Sequence, residues 1–158
     1  MQSKVLVAAL ALFTGGCMST GPNSLRPLPV ERIARSCCRE FSGLRDPARL
    51  VIREPGRFAQ VWRDAYGAYE PAPPVPDVDF SRDMVIMVAM GEQRSGGNAI
   101  EVTNVVAVGS RLVVEVKTAV PGPGCATHDA LTQPHDMVKV PALSAVVQFH
   151  DRSAARCP

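Results

Sequence analysis

The chain has 158 residues, with 17 lysine or arginine against 15 aspartate or glutamate and a formal net charge of +2. That length is typical of one domain. The balanced charge excludes a nucleic-acid binder, which would carry a concentrated basic surface.

The N-terminus has the layout of an export signal. Lys4 precedes the apolar stretch Val5–Phe13, and two glycines come immediately before Cys17. This order resembles the bacterial lipoprotein signal, although Thr14 stands where leucine is usual. We predict a signal peptide at residues 1–16, acylation (palmitate) of Cys17, and a cell-envelope location on a lipid anchor, in the outer membrane if the host has one. The alternative is an ordinary secretory peptide with an unrelated cysteine.

The next segments predict a tether and then a helix. Residues 18–29 contain three prolines and no periodicity, so we assign residues 17–40 to the lipidated cysteine and its tether; within them, 30–35 suits either a strand or a helical turn. A short strand at 50–52 leads to Pro55, which suits a first helical turn. Apolar residues then recur at helical spacing up to Gly67: Phe58, Val61, Trp62 and Ala65.

The remaining chain reads as β-structure. Met84–Met90 is an uninterrupted apolar run, typical of a strand covered on both faces. Residues 99–108 and 111–120 alternate around Gly109-Ser110, a hairpin signal, and two shorter strands follow at 137–140 and 145–149. We predict an α+β fold: an antiparallel sheet of about five strands with one amphipathic helix packed on it. The globular domain is assigned to 41–152 and a tail to 153–158.

Five cysteines are present, so four remain once Cys17 is acylated. In an exported chain an even number indicates disulfides. We predict the pair Cys125–Cys157, because it would hold a chain end that otherwise frays. Pairing of Cys37 or Cys38 with either of these is the alternative.

Two polar, glycine-containing loops form the predicted working surface. If 84–90, 99–108 and 111–120 are consecutive antiparallel neighbours, the loops 91–98 and 121–133 share one end of the sheet. Glycine lets the backbone approach a partner closely, and polar side chains flank it. The residues expected to bind a partner are Glu92, Arg94, Gly96, Gly97, Asn98, Thr127 and His128. The alternative is that both loops are mere connections and the glycines serve turn geometry.

Seven segments, in this order and spacing, resemble the PrcB C-terminal domain family over residues 49–150. They are VI (51–52), the Trp62 helix, VDFSRDMV (78–85), GEQRSGGNAIEV (91–102), RLVVEV (111–116), PGPGC (121–125) and ALTQPHDMVKVP (130–141). The family's loop reads closer to PTGGY; here Arg94-Ser95 and Asn98 depart from it. The resemblance implies a non-catalytic accessory subunit of a surface protease and supplies no catalytic residues.

No enzyme signature stands beside this resemblance. There is no GxSxG motif, and a bridged Cys125 is no nucleophile for a partnership with His128. No CxxC pair or histidine spacing predicts a metal site, and no cofactor fingerprint is present. We therefore expect no catalytic residues, metal or cofactor, and a docking or inhibitor-like role towards a secreted or surface protease through loops 91–98 and 121–133. The alternative is an envelope lipoprotein that binds a small molecule or glycan.

Overall fold

The computed structural model describes residues 24–36 and 41–157. Within them the chain forms eight strands and one helix. In chain order these are β1 (Leu25–Pro27), β2 (Glu31–Ser36), β3 (Pro47–Ile52), α1 (Pro55–Tyr66), β4 (Asp83–Met90), β5 (Ala99–Val108), β6 (Arg111–Pro121), β7 (His135–Pro141) and β8 (Val146–Arg156).

The strands form two sheets, not the single five-stranded sheet expected from the sequence. One four-stranded sheet has the order β1-β5-β6-β8, and the other has the order β2-β7-β4-β3. Strands β4 and β5 were expected to pair but lie in different sheets, because the chain crosses between sheets through residues 91–98. Strands β6 and β8 pair in parallel, whereas an antiparallel sheet was expected from the sequence.

Strand β4 explains how the layers pack. Successive side chains of a strand point to opposite faces. Met84, Ile86 and Val88 contribute to the core shared with the other sheet, while Val85, Met87 and Ala89 contribute to the core beneath α1. Both faces of β4 are therefore covered by apolar side chains, as the uninterrupted apolar run predicted.

Helix α1 forms as the sequence predicts and covers the second sheet. Pro55 occupies its first turn, where the missing N–H breaks no helical hydrogen bond. The apolar stripe Phe58, Val61, Trp62 and Ala65 is buried. The indole Nε1 of Trp62 in α1 donates to the carbonyl of Pro73 at 3.0 Å. This bond holds the proline-rich segment that follows the helix against α1.

Two predicted boundaries of the domain are corrected. Residues 25–36, assigned to the tether, form β1 and β2, which add one strand to each sheet. At the other end, β8 continues to Arg156 through most of the segment assigned to a tail. Polar or proline-containing strands at a sheet edge lack the alternating apolar pattern on which a sequence prediction depends. For this reason β1 and the second half of β8 were not predicted, and 30–35 was left open between a strand and a helical turn.

The strands give the molecule two distinct ends. Strands β5 and β6 are joined by the predicted hairpin, in which Gly109 has φ of 57°; we call this the hairpin end. Strands β2, β4, β6 and helix α1 all finish at the opposite end, which we call the loop end because it carries loops 91–98 and 121–133. The chain enters β1 at the hairpin end, where Leu25 is opposite Val108.

Candidate functional site

The two predicted loops meet at the loop end. Gln93 and Thr132 exchange backbone hydrogen bonds of 2.7 and 2.9 Å, and the N–H of Gly96 donates to the carbonyl of His128 at 2.9 Å. The hydroxyl of Thr132 also donates to the carbonyl of Ser95 at 3.0 Å. The expected proximity of the loops is therefore present, but a crossing between two sheets produces it rather than a single meander.

Three residues expected to bind a partner are buried inside this loop pair. Gly96, Gly97 and Asn98 are all buried. Gly97 has φ of 82°, a backbone conformation that glycine adopts without strain. The side-chain amide of Asn98 donates to the carbonyl of Ser95 at 2.8 Å. The structure thus gives these residues a loop-closing role, as the turn-geometry alternative stated, and removes them from the accessible surface.

The other predicted contact residues remain accessible. Glu92, Arg94 and His128 are exposed, and Thr127 is half-buried. Among them, only Glu92 lines the groove described next.

A groove of about 590 Å³ opens where these loops approach the end of α1. Its rim carries three large apolar side chains with exposed fractions of 60% for Phe41, 48% for Leu131 and 39% for Tyr69. The complete lining is Phe41, Ser42, Gly43, Arg45, Ala65, Ala68, Tyr69, Glu70, Glu92, Leu131 and Gln133. An apolar, concave site with a few polar groups is the usual form of a binding site.

Close backbone contact holds one wall of the groove against the helix. The N–H of Gly43 donates to the carbonyl of Ala65 at 3.0 Å. A Cβ at Gly43 would lie 2.0 Å from the carbonyl oxygen of Asp64, so only glycine permits this approach. The hydroxyl of Tyr69 donates to the carbonyl of Phe41 at 2.5 Å and joins the two aromatic residues of the rim.

Gln133 positions the carboxylate of Glu92 in the groove. The side chain of Gln133 is buried; its Oε1 accepts from the N–H of Ser42 at 3.1 Å, and its Nε2 donates to Oε2 of Glu92 at 3.2 Å. The N–H of Glu92 donates to the carbonyl of Arg45 at 2.8 Å. One buried amide thus joins the segment before β3 to the loop after β4.

A buried polar layer supports the groove from below. Ser36 Oγ lies 2.9 Å from Nδ1 of His135, and the hydroxyl of Tyr66 lies 2.6 Å from Nε2 of the same ring. Ser36 Oγ also donates to the carbonyl of Gln133 at 3.1 Å. Ser36 and His135 have exposed fractions of 1% and 0%, so this serine–histidine pair is enclosed. Satisfied polar groups in a core specify one arrangement of the surrounding chain.

An ion pair next to this layer joins the two sheets. Arg32 on β2 lies 2.8 Å from the buried carboxylate of Asp136 on β7, and Asp136 also accepts from the N–H of Val102 on β5 at 2.8 Å. The hydrogen bond to Asp136 raises the pKa of the Arg32 guanidinium. Asp136 thus contacts β2 in its own sheet and β5 in the other sheet. We therefore assign the ion pair a role in holding the two sheets together.

A disulfide fastens the second loop to the end of β8. Cys125 and Cys157 are bonded, with 5.2 Å between their Cα atoms, and this is the pair predicted from the sequence. Cys17, Cys37 and Cys38 lie outside the described residues.

The described residues contain neither a cluster suited to a metal ion nor a helix suited to crossing a membrane. No cluster of three or more His, Cys, Asp or Glu side chains in residues 24–36 and 41–157 has the arrangement of a metal site. Over the same residues, no helix has the length and apolar character needed to cross a bilayer.

A protein-family model matches part of the chain. Residues 84–141, from β4 to the end of β7, match the model of the family described as PrcB C-terminal. The match confirms the resemblance over this segment, which contains both loops. No curated protein and no solved structure matches the chain significantly.

Sequence reasoning missed most of the groove. Phe41, Tyr69, Leu131 and Gln133 were not among the predicted contact residues. Leu131 is the one large aliphatic side chain in the sequence of loop 121–133, and that signal was available in the sequence. Phe41 and Tyr69 are separated by 28 positions, and only folding brings them together.

Proposed function

We propose that this protein is a non-catalytic accessory subunit that docks on a surface protease in the cell envelope. The match of residues 84–141 to the PrcB C-terminal family supports association with a protease complex. The groove at the loop end is the docking surface in this proposal, in place of the buried glycines of loop 91–98.

The observation that carries the proposal is the exposure of Phe41, Tyr69 and Leu131 around a single groove. Large apolar side chains grouped on a surface mark interaction sites, and aromatic residues dominate the energetics of protein interfaces. Leu131 belongs to loop 121–133 and Glu92 to loop 91–98, so both loops contribute a residue to the lining of the groove.

Lipid anchoring at Cys17 would direct this groove away from the membrane. The chain enters β1 at the hairpin end, opposite the groove. A fully extended chain from Cys17 to Ser24 spans at most roughly 25 Å. The ten residues of β5 extend over roughly 33 Å. Such a tether is too short to let the domain invert and press the groove on the membrane, so the groove stays available to a protein.

Co-purification from native membranes tests the proposal. Leu131→Ser should reduce recovery of the co-purifying protease, because it removes an apolar contact from the groove. Val146→Ser is the matched control: Val146 has an exposed fraction of 67% but lies at the hairpin end. Equal recovery with both variants would overturn docking through the groove.

The lipid anchor and the lack of catalysis are tested separately. Metabolic labelling with a fatty-acid analogue should mark the protein and not Cys17→Ser; equal labelling of both would contradict the anchor. The protein purified under denaturing conditions, which removes any bound protease, and then refolded should not cleave casein; cleavage by the refolded protein would contradict the non-catalytic role.

A small-molecule or glycan ligand is the second candidate. The exposed aromatic side chains of Phe41 and Tyr69 favour it, since sugars stack on aromatic faces, and the groove volume lies within the usual range for small-ligand sites. Soluble peptidoglycan fragments should then raise the melting temperature of the protein and not that of Tyr69→Ala. An unchanged melting temperature at millimolar fragment would reject these fragments as the ligand.

A further inference from the structure

We infer that the groove receives a polypeptide segment in which a large apolar side chain stands next to a lysine or arginine. This inference rests on the proposed docking function and adds the chemistry of the docked segment. Two features of the groove carry it: the arrangement of its apolar rim and the balance of its charges.

The rim is built to cover one large apolar side chain. The lining combines the exposed large side chains of Phe41, Tyr69 and Leu131 with the small side chains of Ala65 and Ala68. Large side chains around small ones form a depression that an aliphatic or aromatic residue can fill. Burying such a side chain is the main favourable contribution of apolar contact.

The charges of the groove favour a cationic neighbour. Its charged lining residues are Glu70, Glu92 and Arg45. None of the three takes part in an ion pair within the described residues. Among the described residues the lining therefore has an excess of one negative charge, and a basic residue on the partner would complement it.

Of these three charged residues, Glu92 has the side chain whose position is fixed by a hydrogen bond. Gln133 holds its Oε2, while Oε1 accepts no hydrogen bond from the described residues. A carboxylate with one oxygen fixed and the other open is pre-positioned for a donor from outside, and pre-positioning lowers the ordering cost of binding. A lysine or arginine beside the buried apolar side chain would supply that donor.

Selection from a random phage-displayed peptide library tests the inference, with the full chain in detergent as bait. Native protein should enrich peptides that carry a large apolar residue next to lysine or arginine. Glu92→Lys reverses the charge at the groove and should enrich the same apolar residue next to aspartate or glutamate. Glu54→Lys is the matched control, because Glu54 is exposed and precedes α1 at the hairpin end; it should retain the native preference.

Affinities of one selected peptide make the test quantitative. Glu92→Gln should weaken binding about fivefold, as expected for a partly exposed ion pair, and Leu131→Ser should weaken it at least as much. A native selection without basic preference, or the same preference with native and Glu92→Lys baits, would overturn the inference.

The outcome is separable from that of the proposed function. If Leu131→Ser abolishes co-purification of the protease while the library shows no basic preference, docking stands and this inference falls. If the library shows the preference while co-purification is unaffected, the groove binds such segments but not those of the protease. Failure to enrich any peptide above the Leu131→Ser bait also overturns the inference.

Discussion

Removing the disulfide should lower stability by an amount that its position in the chain determines. Cys125 and Cys157 are separated by 32 residues, and closing a loop of that length in the unfolded chain corresponds to about 3.7 kcal/mol. Among the strands of the described residues, β8 pairs with β6 alone, so the bridge also holds the end of an edge strand. We expect Cys125→Ser/Cys157→Ser to lose about 3–4 kcal/mol of unfolding free energy.

Urea unfolding of the two proteins measures this loss. Both should carry Cys37→Ser and Cys38→Ser, so that no other thiol can form a replacement bridge. The melting temperature should fall by roughly 13 °C for a folded region of this size, and the dependence on urea should steepen because the unfolded chain is more extended. Reduction of the bridged protein should reproduce the loss.

Two results would refute the reasoning. A loss below about 1 kcal/mol would show that the bridge does not constrain the unfolded chain as the loop-entropy argument requires. A peptide joining Cys38 to Cys157, found by non-reducing mapping of the full chain, would show that the pairing itself is different.

Three further changes test the fold and the groove. Met87→Ala should lower the unfolding free energy by about 2–5 kcal/mol in urea unfolding, because Met87 is buried beneath α1; a loss below about 1 kcal/mol would contradict that packing. In Gly43→Ala the added methyl group should displace the backbone of residue 43 from the carbonyl of Asp64 and accelerate hydrogen exchange at residue 43. Gly56→Ala, where a Cβ meets open space, should not accelerate it. Hydrogen bonds from Ser81 lower the pKa of Asp79 below its ordinary 3.8. The ionised carboxylate therefore stabilises the fold above pH 3.8, and this stabilisation is lost as the pH falls through the lowered pKa of Asp79 in the folded protein. NMR titration should show a raised midpoint for Asp79 in Ser81→Ala, and an unchanged midpoint would refute this cause.

Local patterns were enough to find most elements. The helix was predicted from Pro55, the apolar stripe and Gly67, because these signals act within a few residues of chain. Strand β4 was recognised as covered on both faces from its apolar run, and the β5–β6 hairpin from Gly109-Ser110. The Cys125–Cys157 pair was predicted from the four cysteines that remain besides Cys17 and from a chain end that would otherwise fray.

Such local patterns do not reveal the order in which the strands lie side by side in each sheet. Alternation tells which side chains share a face of a strand, but it does not tell which strand lies beside it. The connection 91–98 suits a wide hairpin as well as a crossing between sheets, and only the packed core selects the crossing. Strands β1 and β2 are held mainly by backbone bonds to partners far along the chain, so their sequences carry little signal.

The sequence by itself determined the helix, the main strands, the bridge and the family resemblance, since each depends on neighbouring residues or on a short motif. Tertiary structure alone decided which loop residues are accessible: it buried Gly96, Gly97 and Asn98 and left Glu92 in an open groove. The physical reason is that accessibility depends on what packs against a residue. Loop 91–98 is packed against His128 and Thr132 of loop 121–133, which lie far along the chain from it.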